Sequence, residues 1–109
     1  MLTVIETPLF SKLWPAYWSE EERGAFAAHI AEHPNDGDVV AGSGGVRKVR
    51  WSRAGTGKSG GVRVIYFVRN ELGELGELVL MFMYAKAKLD TLKTSTLKEM
   101  RDAVEPIVK

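Results

Sequence analysis

Residues 42–70 read GSGGVRKVRWSRAGTGKSGGVRVIYFVRN, a stretch with seven cations (Arg47, Lys48, Arg50, Arg53, Lys58, Arg63 and Arg69) and no acid. Two short runs within it, V-R-K-V-R-W and G-V-R-V-I-Y-F-V, alternate basic with apolar residues. Such alternation belongs to strands that rest one face on a core. The Gly-rich connector R-A-G-T-G-K-S-G-G joins the two runs, so a hairpin is expected. Lys48, Arg50 and Arg63 should then project together from one solvent-facing side of a sheet. Cations aligned on a rigid sheet grip polyanions and stabilise developing negative charge.

The rest of the chain has the opposite balance. Outside this stretch eight basic residues face fourteen acidic ones, so a formal charge of +1 conceals a strong asymmetry. A length of 109 residues fits a single domain with a modest core. There is no cysteine, which removes disulfide frameworks and thiolate chemistry and suits a reducing compartment. The start, MLTVIETPLF, has no basic segment and soon meets Glu6, so a secretory leader is not expected. The longest apolar run, Leu78 to Ala85, is too short to span a bilayer. A cytoplasmic location with no membrane partner is the expectation.

Moving outward, L-T-V-I-E at Leu2 to Glu6 reads as a strand, and Thr7-Pro8 opens a helix with proline in its first turn. Pro15 argues for a break near Trp14. Ser19 and Glu22 have the spacing of a capping box, and the helix they start runs to about His33, burying Phe26 and Ile30 before Pro34 stops it. Residues 35–45 read as an irregular connector. After the two basic strands, E-L-G-E-L-G-E-L reads as an exposed hairpin tip. L-V-L-M-F-M-Y, Leu78 to Tyr84, is apolar on both faces, as in an interior strand covered on both sides. A last helix from about Ser95 carries the stripe Leu97, Met100 and Val104, and Pro106 frays its end. The expected fold is α+β, in the order β-α-α-β-β-β-α. It has a four-stranded, largely antiparallel sheet with helices packed on one face.

Other candidate sites are weaker. G-T-G-K-S at Gly55 to Ser59 resembles the end of a P-loop, but Ser52 stands where that motif needs its first glycine, and the segment joins two strands. No nucleotide cofactor is expected. His29 and His33 have a helical metal-binding spacing without a third ligand, so no metal is expected. Trp51 alternates with Arg50 and should point into the core. Tyr66 and Tyr84 read as core residues, with base stacking as the alternative, and nothing matches an RNP motif.

The basic stretch, with M-Y-A-K after it, T-P-x-F near the start, S-E-E-E-R before the second helix and L-K-E in the last, resembles the RelE/HigB superfamily, specifically its HigB2-like branch. These are toxins of type II toxin–antitoxin modules. The resemblance covers nearly the whole chain and implies one compact toxin domain over residues 1–109. It further implies ribosome-dependent mRNA cleavage by 2′-hydroxyl attack on the adjacent phosphate, and neutralisation by a helix-turn-helix antitoxin. By resemblance Arg63 clamps the phosphate, Lys48 and Arg50 contact it and assist proton transfer, and Lys86 is the basic residue at the last strand's end. Arg47, Arg53 and Lys58 are then expected to contact RNA or the ribosome. Some relatives use a C-terminal tyrosine or histidine, and nothing after Tyr84 is aromatic or histidine. The general base therefore stays open between a lysine among like charges and the ribosome itself. A catalytically silent module that uses the same face on RNA or protein is the competing expectation.

Overall fold

The structure, a computed structural model, describes residues 1–51, 61–85 and 93–104. Strand β1 (Thr3–Glu6) leads into helix α1 (Pro8–Leu13), a 3-10 turn at Trp14–Ala16, and helix α2 (Glu20–Glu32). Strands β2 (Asp38–Val39), β3 (Arg47–Trp51), β4 (Val62–Leu72) and β5 (Leu75–Ala85) follow, then helix α3 (Thr94–Val104). They form one sheet in the order β1-β5-β4-β3-β2. β1 runs parallel to β5 and every other pairing is antiparallel.

The helix starts are built as their sequences dictate. Thr7 caps α1 by accepting from the Phe10 N–H, and its own hydroxyl donates to the Met81 carbonyl, which ties the helix start to β5. Pro15 turns the end of α1 into the tighter 3-10 turn. Ser19 and Glu22 form both bonds of the capping box, at 3.2 and 2.9 Å, which satisfies two orphan backbone donors at once.

Two expectations are corrected. The sheet has five strands rather than four, because Asp38 and Val39 pair with Lys48 and Arg47 at the edge. A two-residue strand exposed at both positions leaves no alternation to read. The helices also cover both faces, not one. α1 and α2 bring Phe10, Trp18, Phe26 and Ile30 against Val49, Val64, Tyr66, Leu78 and Met83. The predicted stripe of α3, Leu97 with Met100 and Val104, packs on the other face against Val46, Ile65, Phe67, Val79 and Met81. A strand as apolar as Leu78 to Tyr84 requires cover on both sides, and α3 supplies the second layer.

A bulge sets the register of the two longest strands. Ile65 pairs with Phe82 but Tyr66 pairs with Leu80, which leaves Met81 as the extra residue. Met81 and Phe82 therefore both face α3. At the far end of the hairpin the exposed tip is shorter than the expected Glu71 to Leu78: β4 runs to Leu72 and β5 starts at Leu75, these two are 78% and 68% exposed, and Leu78 is buried. Gly73 there takes the positive φ of 63° that a tight hairpin turn demands.

Candidate nucleic-acid interface

Register, not proximity in sequence, assembles the cations. Arg50 of β3 lies directly opposite Arg63 of β4, and Arg63 lies directly opposite Tyr84 of β5. Residues paired in this way point to the same face, with Cβ atoms about 4.5–5.5 Å apart. Arg50, Arg63 and Tyr84 thus form one row across three interior strands, on the face that carries α3. Lys48, Ile65 and Phe82 form the next row, about 7 Å along the strands. Lys48 and Arg50 are exposed and Arg63 is half-buried. Among the described residues neither Lys48 nor Arg63 has an ion-pair partner.

Tyr84 is only 5% exposed, and its ring lies 5.9 Å from that of Phe82. Burial raises its phenol above the ordinary 10.0, while the Arg63 charge pulls in the opposite direction. Read from sequence alone, Tyr84 is a core residue. Its packing with Ile65, Phe67 and Leu97 agrees, but its place beside Arg63 depends on a pairing register that no local pattern reveals.

The remaining cations separate. Arg47 is adjacent to Lys48 and so points to the α2 face. Its guanidinium donates to the Gly37 carbonyl at 2.6 Å and lies 3.4 Å from the Asn35 carbonyl. It holds the loop before β2 and does not join the cationic rows. Arg69 is 7% exposed and bonds Glu77 at 2.8 Å, so it belongs to the packed end of the hairpin. Arg53, Lys58 and Lys86 lie outside the described residues.

On the α2 face Trp51 enters the core as expected, 5.2 Å from Phe26 and 5.1 Å from His29. Tyr66 is fully buried. Its hydroxyl donates to the Pro34 carbonyl at 2.8 Å and accepts from the Gly37 N–H at 2.9 Å. His29 stacks on His33 at 4.6 Å, and its Nε2 lies 3.1 Å from Asp36. Among the described residues no group of three or more His, Cys, Asp or Glu is placed to hold a metal.

Within the two rows the cations grade from exposed, at Lys48 and Arg50, to half-buried at Arg63. A cavity of about 440 Å³ lies near the hairpin tip, lined by Met1, Leu2, Glu32, Glu71 and Glu74 among others, and contains none of Lys48, Arg50 and Arg63. Exposed cations fixed on a sheet are able to meet a polyanion presented from outside. No helix among the described residues is long and apolar enough to cross a membrane. No known protein-family model matches the chain.

Proposed function

We propose that this chain is the toxin of a type II toxin–antitoxin module of the RelE/HigB kind, a ribosome-dependent mRNA endoribonuclease that inhibits translation in the cytoplasm. The observation that carries the reading is the cross-strand row of Arg50 and Arg63, with Lys48 beside it, on interior strands of the sheet. In such a reaction the RNA supplies its own nucleophile, the 2′-hydroxyl. The protein's share is to neutralise the charge that builds on the phosphorane and to manage protons. Fixed cations do the first without reorganising, which is where electrostatic catalysis gains most. The α1/α2 layer and α3 clamp the sheet from both sides and hold these side chains in register. The exposure of Lys48 and Arg50 fits a substrate held in place by the ribosome. The partner expected to silence the protein is a helix-turn-helix antitoxin, through an acidic segment laid over the cations or by blocking access to the ribosome.

The test is single-turnover cleavage of a defined codon on programmed ribosomes, alongside induced expression with and without the neighbouring small reading frame. Cleavage to a 2′,3′-cyclic phosphate and a 5′-hydroxyl, with growth rescued by the neighbour, is expected. RNA or ribosome binding without cleavage would establish the silent binding module instead.

A further inference from the structure

We propose that Tyr84 is a catalytic residue of this site and the general acid that protonates the leaving 5′-oxygen. The inference rests on the nuclease reading and names one residue for the leaving-group proton, where the resemblance gives Lys48 and Arg50 only a general part in proton transfer. Of the three residues in the row, two are arginines, and a guanidinium does not give up its proton in a protein. Tyr84 is the third, directly across from Arg63. Its ring is locked between Phe82 and the apolar residues under α3, so the phenol is held by packing and not by its hydroxyl. Among the described residues that hydroxyl has no hydrogen-bond partner, and it is not one of the polar atoms sealed from solvent. A phenol placed this way has its proton available for the substrate.

The proton balance closes. The 2′-oxygen bonds to phosphorus and its proton passes to water. The P–O5′ bond breaks, its electron pair stays on the 5′-oxygen, and that oxygen takes the phenolic proton of Tyr84. The phenolate left behind faces the Arg63 guanidinium and is reprotonated from water. Burial favours the protonated phenol at neutral pH and Arg63 eases its ionisation, which suits an acid rather than a base.

The test compares two mRNA substrates on programmed ribosomes, one with the natural 5′-oxygen at the scissile bond and one with sulfur in that bridging position. A thiolate leaves without protonation and so does not need the acid. Tyr84→Phe is expected to slow the oxygen substrate by about 10²- to 10⁴-fold and to leave the sulfur substrate at the wild-type rate. The urea midpoint confirms that the ring still packs. Equal slowing of both substrates would make Tyr84 a packing residue and overturn the proposal, as would no slowing of either. A wild-type chain that cleaves neither substrate overturns the nuclease reading and this inference together. As a second variant, 3-fluorotyrosine at position 84 keeps the fold and acidifies the phenol. It is expected to move the alkaline limb of the pH–rate profile to lower pH, and a limb that stays in place also overturns the proposal.

Discussion

The sheet carries two arginine–tyrosine pairs directly across neighbouring strands, one on each face. Arg47 pairs with Tyr66 and Arg63 pairs with Tyr84. The residue types are identical and the surroundings differ. On the α2 face the loop at residues 34–37 folds over the pair. Its backbone takes the hydrogen bonds of both side chains, through the Gly37 and Asn35 carbonyls for Arg47 and through Pro34 and Gly37 for Tyr66. On the α3 face no described residue bonds the Tyr84 hydroxyl or forms an ion pair with Arg63. The first pair closes the fold. The second has no such backbone bonded to it among the described residues, and the proposed site is built on it. Residue type alone does not separate the two pairs; the backbone that approaches each of them does.

Breaking the two pairs in turn should give opposite readouts. The largest effect is expected from Arg63→Ala, with single-turnover cleavage down by about 10²- to 10³-fold, the scale for removing one preorganised donor to a developing oxyanion. Its unfolding free energy should move by no more than about 0.5 kcal/mol, as for a surface change that breaks no buried contact. Ribosome pelleting should weaken far less than cleavage, since one cation among several carries one contact's share of the salt-dependent affinity. Equal losses in binding and cleavage would make Arg63 a docking residue.

Tyr66→Phe should do the reverse. It strips the Pro34 carbonyl and the Gly37 N–H of their shared partner in a buried place. The expected loss is about 1–3 kcal/mol in urea unfolding, with cleavage at saturation unchanged. Gly37→Ala attacks the same closure from the loop. A Cβ there would stand 2.9 Å from the Tyr66 ring and hydroxyl and 3.0 Å from the Lys48 carbonyl, and overpacking of this kind costs about 1–3 kcal/mol. Arg47→Ala should cost less, about 1–2 kcal/mol, because the group is half-buried and loses one good charged hydrogen bond. A fall in ribosome binding without a fall in stability would return Arg47 to the RNA-contacting set expected from sequence.

How much of this was legible depends on which signals are local. Alternation placed Lys48, Arg50 and Arg63 on one side of a sheet, and the structure has them there, because strand parity is written in the order of residues. The capping box at Ser19 and the stripe of α3 were readable for the same reason. A stripe says that a helix buries one side but not which face of the sheet receives it, so the face that α3 covers is not legible in the sequence. β2 is too short to carry a period. The Arg63–Tyr84 pairing depends on how β4 and β5 register around the extra Met81, which is a property of two strands together. Arg69 looks like its neighbours in sequence and is neutralised only because β5 returns Glu77 beside it.

The smallest effect is a pH dependence that distinguishes the two tyrosines. Burial raises the Tyr66 phenol above its ordinary 10.0, and the Gly37 N–H and the Arg47 charge offset this only in part. The folded chain therefore holds the phenolic proton to higher pH than the unfolded chain does. Above about pH 10 the native state binds more protons than the unfolded state, so stability must fall as pH rises. Below pH 10 both states are protonated and the contribution is fully present. It is lost as pH passes through the raised value. The slope is bounded at about 1.4 kcal/mol per pH unit for one group. In urea unfolding from pH 8 to 11, wild type should lose stability more steeply than Tyr66→Phe, so the gap between them narrows with pH. Tyr84 is also raised by burial, but its opposing influence is the Arg63 charge. Tyr84→Phe should flatten the same curve, and Arg63→Ala should steepen it by removing the charge that favours the phenolate. If Arg63→Ala left the alkaline slope of wild type unchanged, Arg63 and Tyr84 would not be coupled in solution. The row across β3, β4 and β5 would then be a matter of backbone register, without the shared electrostatics on which the assignment of Tyr84 depends.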